Sequence, residues 1–483
     1  MKLKELLQNV QVLQLHADPE MEIGGVSSDT REDFGAGTLF VALSGFAFDG
    51  NRFIPMAVAK GAAAVVTAKK PEQDIPYILV ENDRIALSRI SANFYGHPAS
   101  QMTMIGVTGT NGKTSVTWLL KQVIQKVTGQ KVGLIGTMEN HIGDEVLSTD
   151  RTTPESIQLQ RLFAHMVDAG CRYAVMEVSS HAIALHRVEG IHFAVGAFTN
   201  LTEDHLDFHE TMDSYGATKA QLFRHCAKAV VNRDCPWGQR MVAGTDIPVI
   251  ATGVDGCGDL MAKNMIFNRD GVDFTAVCGE KSVPVHVPIP GKFTVYNVLT
   301  VLGIALQLGI SLEDAAAALS NVQGVKGRVE VVPTPGKPYT VLIDYAHTPD
   351  GLENVLSAVR GFCKGRLIAV FGCGGDRDRK KRPIMGAIGV RLADLAVITS
   401  DNPRTEEPTQ IINDIVAGIP DGMNYVVNVN RVKAIHYAME IAEKDDIIVL
   451  AGKGHETYQE INGVKHHMDE REIVAQILEE KRG

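Results

Sequence analysis

The run Gly106-Val107-Thr108-Gly109-Thr110-Asn111-Gly112-Lys113-Thr114-Ser115 constrains this chain more than any other stretch. The residues just before it, 103–107, suit a short buried strand. From Lys113 onward Val116, Leu119, Leu120, Val123, Ile124 and Val127 recur at spacings of three and four, which predicts a helix. Strand, glycine loop, Lys-Thr and helix together cradle phosphate. Gly109 and Gly112 let backbone N–H groups curl around an anion, and the helix N-terminus adds partial positive charge. Lys113 then reaches the outer phosphates and Thr114 offers its hydroxyl to Mg2+. The strict phosphate-loop pattern asks for glycine at position 107, where this chain has Val107. A glycine turn ahead of an ordinary helix is the plainer alternative, and the agreement of strand, loop and helix weighs against it.

At about 150 residues per domain, 483 residues predict roughly three domains. The formal charge of -10 argues against nucleic acid or an anionic membrane as the main partner. Seven cysteines without a Cys-x-x-Cys pair suggest free thiols in a reducing compartment. Residues 1–16 interleave leucines with Lys2, Lys4, Glu5, Gln8 and Gln11, the pattern of a surface helix rather than a signal peptide. No apolar run approaches the length of a membrane span. A soluble, cytoplasmic monomer is expected.

Residues 1–100 read as a small α/β unit, with strands at 37–43 and 63–67, a turn-rich loop at 45–50, and helices at 54–60 and 87–95. Gly96-His97-Pro98-Ala99-Ser100 is turn chemistry and marks a boundary. In residues 101–330, strands at 131–136, 173–177, 194–199 and 228–232 alternate with helices at 154–169 and 215–225, as βαβ units require. Antiparallel strands are expected over 249–290, then helices at 297–308 and 311–318, the latter capped by Ser311. Residues 331–483 restart the pattern with strands at 340–344, 366–371, 395–399 and 447–450. The expected fold is therefore α/β in three domains: a small N-terminal domain, a central P-loop ATPase-like domain and a C-terminal Rossmann-like domain. Ligands gather at the carboxyl ends of such strands, which singles out the loops 344–350, 372–382, 400–407 and 451–456.

Several constellations carry chemistry. Glu177 ends an apolar strand downstream of the phosphate loop, where nucleotide-binding folds keep a carboxylate for Mg2+. Asn200-Leu201-Thr202-Glu203-Asp204-His205-Leu206-Asp207-Phe208-His209 reads as a loop holding two histidines and three acids. A metal or phosphate site and a polar surface loop explain it about equally. His205 and His209 have the spacing of a zinc pair, but Leu206 stands where the general-base Glu belongs, so zinc is not inferred. Gly372-Cys373-Gly374-Gly375-Asp376 falls short of a dinucleotide fingerprint because position 377 is Arg377. The same loop carries Arg377, Arg379, Lys380, Lys381 and Arg382, which suits an anion, with a solvated charge run as the alternative. Asp401-Asn402-Pro403-Arg404 and Gly452-Lys453-Gly454-His455-Glu456 follow strands of the same sheet, and Arg404 suits a bidentate carboxylate contact.

Thr108 to Thr114, Glu177-Val178-Ser179-Ser180-His181, Asn200-Leu201-Thr202 with Asp204-His205-Leu206-Asp207, Lys219, Asn297, Arg328 and Asp344-Tyr345-Ala346-His347 together resemble the Mur ligases over essentially the whole chain. Val107 is that family's usual form. The resemblance implies ATP bound by Gly109, Thr110, Asn111, Gly112, Lys113, Thr114 and Ser115, with Asn297, Arg328 and Asp344 around its base and ribose. It implies a catalytic and metal-holding group of Lys113, Thr114, Glu177, His205 and Lys219, with Lys219 carbamylated and Mg2+ as cofactor. Ser28 and Thr30 match the uridine end of a UDP-muramoyl-dipeptide substrate, although serine is commoner at the second position. Thr152, Thr153, Ser179 and Arg187 match its peptide end. Arg377, Asp401, Asn402, Pro403, Arg404, Gly452 and Glu456 match the pocket for the incoming amino acid. Asp-Asn-Pro-Arg resembles the form that takes meso-diaminopimelate, while lysine-adding and folylpolyglutamate-type relatives are the alternative.

The implied chemistry joins UDP-N-acetylmuramoyl-L-Ala-D-Glu to meso-diaminopimelate in peptidoglycan precursor synthesis. The D-glutamate carboxylate attacks the γ-phosphate of ATP, and the amine then displaces phosphate from the acyl phosphate. A carboxylate meeting a polyphosphate is repulsive, so cationic groups and helix dipoles must neutralise it. The reacting atoms must approach to about 3–3.5 Å, which calls for closure.

Overall fold

The computed structural model describes residues 1–32, 35–45, 49–268 and 271–480. The chain folds into two units, one of residues 1–251 with 303–310, the other of residues 252–302 with 311–483.

The first unit opens with a sheet in the order Val12–His16, Tyr77–Val80, Ala62–Thr67, Thr38–Ala42, Gly25–Ser27, parallel except for the first strand. The surface helix expected over residues 1–16 is not formed. A single turn, Leu3–Leu6, buries both leucines in the core of this sheet, and Val12–His16 pairs along Tyr77–Val80. Burying two leucines and filling a sheet edge outweighs helix propensity in so short a segment. Helix Asp83–Phe94 covers one face. Its N-cap Asn82 accepts from the N–H groups of Arg84 and Ile85. Half of the loop expected over 45–50, residues 46–48, lies outside the described residues.

The second sheet of this unit runs Ala229–Asn232, Val195–Phe198, Thr103–Thr108, Tyr173–Glu177, Val132–Ile135, all parallel. The hairpin Glu139–Ile142/Glu145–Ser148, unmarked in the sequence, extends it antiparallel. Thr103–Thr108 lies between two strands buried on both faces, hence the near-continuous apolar runs. Register sets Glu177 beside Val107 and Phe198 beside Thr108, so the residues that follow these strands emerge at one edge. Helix Lys113–Thr128 buries Val116, Leu119, Leu120, Val123 and Ile124, and ends at Gly129 with φ 67°.

The run expected to be antiparallel begins with Val249–Gly253, whose last two residues open the second unit and pair in parallel with Leu260–Asn268, and it then forms the meander Leu260–Asn268, Gly271–Cys278, Lys281–Val287. Helix Leu312–Leu319 starts at Ser311, whose hydroxyl accepts from Asp314 N. A six-stranded sheet follows in the order Glu330–Val332, Thr340–Asp344, Ile447–Ala451, Leu367–Phe371, Leu395–Ile398, Tyr425–Val427, parallel from the second strand on. Pro349–Arg360, Lys381–Leu392 and Pro408–Val416 pack on one face, Arg431–Ile441 and Glu470–Glu480 on the other. A hairpin, Tyr458–Ile461/Val464–His467, follows the strand Ile447–Ala451. Among the described residues no helix is long and apolar enough to cross a membrane.

Candidate active site

The loop after Thr103–Thr108 turns through Gly109 at φ 148° and Gly112 at φ 85°, conformations that favour glycine. Lys113 Nζ donates to Gly109 O and Thr110 O, both at 2.9 Å. The residues 199–202 brace the loop from the next strand. Asn111 N donates to Asn200 Oδ1 (3.0 Å), Asn200 Nδ2 donates to Asn111 O (3.1 Å), and Thr199 Oγ1 donates to Asn111 O (2.6 Å). A Cβ at Gly109 would sit 1.9 Å from Thr199 Oγ1. Gly109→Ala therefore combines an unfavourable φ with a clash. It is expected to lose about 1–3 kcal/mol of stability, read from chemical unfolding. A wild-type midpoint would mean the loop is free to relax.

Glu177 is buried at the edge where the loop opens. Thr114 Oγ1 donates to Glu177 Oε2 at 3.1 Å, as does Thr137 Oγ1 at 3.0 Å, while Thr137 N donates to Oε1 at 2.9 Å. Thr137 Oγ1 also shares a hydrogen bond with Thr152 Oγ1 (3.0 Å). Thr153 Oγ1 donates to Glu177 O (2.8 Å) and to Ser179 Oγ (3.3 Å). Arg187 Nη1 donates to Thr153 O (3.1 Å), and Nη2 pairs with Glu155 at 2.6 Å. Thr114, Thr152, Thr153, Glu177, Ser179 and Arg187 thus form one connected group. Thr137 was missed in the sequence, although the carboxyl-end rule for the strand Val132–Ile135 points to it.

Lys219, on helix Met212–Ala220, is 1% exposed, and its Nζ donates to the carbonyl of Gly109 at 3.0 Å. That carbonyl also receives Lys113. Burial, and then the Lys113 charge, push the Lys219 amine well below its ordinary value. Tyr215 lies beneath it, ring centroid 4.5 Å from Nζ, and shares a hydrogen bond with Thr110 Oγ1 at 3.3 Å. The stretch 200–209 is not wholly a loop: Leu206–His209 forms one helical turn. Both histidines lie beside the His181 ring, at centroid distances of 4.8 Å (His205) and 5.7 Å (His209), but in different surroundings. His205 is 46% exposed at the side chain, with Asp204 Oδ2 at 3.5 Å. His209 is buried, stacked on Tyr215 and hydrogen-bonded through Nε2 to Ser180 Oγ at 2.9 Å. His181, 4.8 Å from the His205 ring, is lowered to about 4 by burial first and His205 second, so it is neutral at pH 7. Among the described residues no group of three His, Cys, Asp or Glu is placed to hold a metal ion. It leaves room for Mg2+, which needs few protein ligands. Ser28, half-buried, and Thr30, buried, follow the strand Gly25–Ser27 on the other sheet of this unit.

In the second unit Asp344 Oδ2 accepts from Val329 N and Oδ1 from Ala346 N, both at 2.8 Å, and burial raises its carboxyl. Arg328 lies over the Tyr345 ring at 4.9 Å. Asn297 is buried on helix Lys292–Gln307. At the carboxyl ends of the neighbouring strands, Lys453 is fully buried and donates to Asn402 Oδ1 and Glu456 Oε2, each at 2.7 Å, while Asn402 Nδ2 donates to Glu456 Oε2 at 2.8 Å. Gly452 stands at φ 115°, and a Cβ there would sit 2.4 Å from Asp401 Oδ2. Arg404, at φ 52° after Pro403, donates from Nη1 to Gly375 O (2.9 Å). Arg377 is exposed and donates to Asp376 O. Two members of the basic run, Arg379 and Arg382, are paired with acids elsewhere in the unit. Arg382 is buried against Glu406 and Asp414, and Arg379 also pairs with Asp414. Lys453 was missed as a site residue; its place inside the quoted strand-end motif was the available signal. Among the described residues Arg187 Nε, Arg328 Nε and Asp401 Oδ2 are buried without a hydrogen-bond partner, and such atoms cost about 1–3 kcal/mol unless a ligand or water meets them.

A parallel sheet bearing a phosphate loop, a strand-end glutamate and a buried lysine defines a phosphate-loop enzyme of the α/β class. Residues 22–95 match the description Mur ligase family, catalytic domain; residues 107–305 the Mur ligase middle domain; and residues 327–454 the Mur ligase, glutamate ligase domain. The chain is 45% identical over 487 residues to the UDP-N-acetylmuramoyl-L-alanyl-D-glutamate–2,6-diaminopimelate ligase of Clostridium tetani, covering 99% of this chain and 100% of that one. It is 46% identical to the ligase of the same name from Caldanaerobacter subterraneus, covering 99% of each. A solved structure of a ligase so named superposes with a TM-score of 0.73 at 30% identity, covering 100% of this chain and 99% of that one. The chain belongs to the Mur ligase family, enzymes that form amide bonds at the expense of ATP.

Proposed function

We propose that this enzyme joins meso-diaminopimelate to the D-glutamate of UDP-N-acetylmuramoyl-L-Ala-D-Glu, in the cytoplasm, as a monomer, in peptidoglycan precursor synthesis. End-to-end similarity to ligases of that name carries the reading. The division proposed is residues 1–100 for the UDP end of the acceptor, 101–330 for ATP and ligation, and 331–483 for the amino acid.

Ser28 and Thr30 hold the uridine end, and Thr152, Thr153, Ser179 and Arg187 the peptide end, where the unpartnered Arg187 Nε is a donor for a carboxylate. Residues 109–115 wrap the phosphates, and Lys113 exchanges its loop carbonyls for phosphoryl oxygens. Asn297, Arg328 and Asp344 hold the base and ribose. Thr114 Oγ1 and Glu177, 3.1 Å apart, are hard oxygen donors that fit Mg2+, with His205 and a carbamylated Lys219 for a second ion. Bound there, Mg2+ would neutralise charge on the transferring phosphoryl group. Asp401, Asn402, Pro403, Arg404, Gly452, Glu456 and Arg377 receive the amino acid, whose amine attacks the acyl phosphate.

ADP release tested against a panel of amino acids, with and without the acceptor, decides the reading. Strict dependence on both substrates, with meso-diaminopimelate preferred over L-lysine, is expected. The two differ by one carboxylate, which a planar guanidinium grips with both nitrogens. Arg404→Ala is expected to raise the KM for meso-diaminopimelate about 10²-fold, with Arg404→Lys restoring part. A wild-type preference for lysine, or an unchanged KM in the alanine variant, refutes the assignment.

A further inference from the structure

Glu177, proposed to hold Mg2+, is steadied from a neighbouring strand. Val132–Ile135 runs on into Gly136-Thr137, and Thr137 meets both carboxylate oxygens, one through its N–H and the other through its hydroxyl. Gly136 packs so closely that a Cβ there would sit 2.6 Å from Glu177 Oε1. The hairpin Glu139–Ile142/Glu145–Ser148 holds these two residues in turn. Asn140, buried in its first strand, accepts from Gly136 N through Oδ1 at 3.3 Å. Thr152, just beyond its second strand, shares a hydrogen bond with Thr137 Oγ1.

The hairpin has little ladder of its own to hold it against the sheet. A single pair, Leu134 with His141, joins its first strand to Val132–Ile135, so its place depends on side chains. His141 is buried, and its ring is engaged at both nitrogens. Nδ1 lies 2.9 Å from Lys121 Nζ, and Nε2 lies 2.7 Å from Glu139 Oε1. A carboxylate oxygen accepts, so Nε2 carries the proton and Nδ1 accepts from Lys121. Burial first, and then the Lys121 charge, hold the imidazole below its ordinary value, which favours the neutral ring that this pattern needs. The Trp118 ring stands edge-on to His141, centroids 5.5 Å apart. Trp118 and the buried Lys121 belong to helix Lys113–Thr128, whose first turn carries Lys113 and Thr114. The helix behind the phosphate loop therefore grips the hairpin directly.

Resting on the Mg2+ role proposed for Glu177, we infer that His141 is a positioning residue: bridging Lys121 and Glu139, it locks the hairpin to the phosphate-loop helix and so fixes the Thr137 contacts that orient Glu177. Its contribution is register rather than chemistry. The helix that supplies Thr114 and the hairpin that steadies Glu177 are held as one piece, which keeps two oxygen donors from separate elements 3.1 Å apart.

The discriminating quantity is how much Mg2+ strengthens nucleotide binding: the ratio of the ADP dissociation constants measured by calorimetry in excess EDTA and in excess Mg2+. His141→Leu keeps the bulk and removes both hydrogen bonds. In the full-length enzyme it is expected to lower that ratio about threefold to tenfold. Loss of a group that orients a metal ligand costs about 10–100-fold in metal affinity, and His141 acts one step further away. A merely structural role would weaken both constants together, or reduce the fraction of molecules that bind, and leave the ratio at its wild-type value; that outcome overturns the inference. Lys121→Met breaks the same chain from the helix side and covers the case in which the leucine variant does not fold; an unchanged ratio there overturns it equally. A wild-type enzyme whose ADP affinity ignores Mg2+ would sink the metal role of Glu177 itself, whereas a wild-type enhancement retained in full by the variants sinks only the role of His141.

Discussion

Lys113→Ala is expected to lower ligation by on the order of a hundredfold to a thousandfold, with most of the loss in kcat. The ammonium rests on the carbonyls of Gly109 and Thr110, inside the curve that the loop's glycines open. Those contacts are a parking position that helps keep the loop's shape without phosphate. When phosphoryl oxygens arrive, the charge meets a dianion, and the attraction grows as negative charge shifts along the leaving oxygen. A contact that strengthens towards the transition state appears in kcat rather than KM alone. Near-normal turnover by a well-folded Lys113→Ala would refute the phosphate-loop reading, whatever its effect on nucleotide affinity.

The phosphate loop was legible because local pattern and tertiary role coincide there. Strand, glycines and helix are each specified within sixteen residues, and Thr103–Thr108 and Lys113–Thr128 lie where periodicity places them. Tyr173–Glu177 and Thr340–Asp344 were equally clear, since apolar runs buried on both faces leave one reading. The N-terminal residues misled because Leu3, Leu6 and the strand Val12–His16 answer to partners far along the chain. The loop 200–209 stayed ambiguous for a related reason. Its value as a brace lies in bonds from Thr199 and Asn200 to Asn111, about ninety residues away, which no spacing encodes. Likewise the basic run from Arg377 to Arg382 looked like one anion site, yet Glu406 and Asp414 had already claimed Arg382. Charges in sequence count as free only until the fold supplies partners.

Lys219→Ala is expected to abolish most activity, by on the order of a hundredfold or more, and to recover part of it when short carboxylates such as acetate or formate are added. The geometry states the problem that the native residue solves. Two amines converge on one carbonyl, and the inner one, Lys219, is fully enclosed. Holding both as cations costs desolvation and mutual repulsion, so Lys219 tends toward the neutral amine. The sign of the linkage follows. Between the lowered pKa and the ordinary lysine value, the unfolded chain binds a proton that the folded chain does not. This residue's contribution to stability therefore rises with pH across that window, up to about 10.5, and is flat above it. A neutral buried amine is also the form that attacks CO2: an N–C bond forms, a proton leaves to solvent, and the product is a carbamate. That step replaces a like-charge pair with an attraction between Lys113 and an anion, and the carbamate keeps one N–H able to donate to Gly109 O. It would also supply an oxygen ligand for the second Mg2+ proposed beside His205. Activity of the wild-type enzyme should accordingly fall when CO2 and bicarbonate are stripped from the assay and return when bicarbonate is restored. A 13C signal from labelled CO2, present in the native enzyme and missing in Lys219→Ala, would locate the adduct. Should the alanine variant turn over normally without any added carboxylate, the carbamate has no role in the reaction.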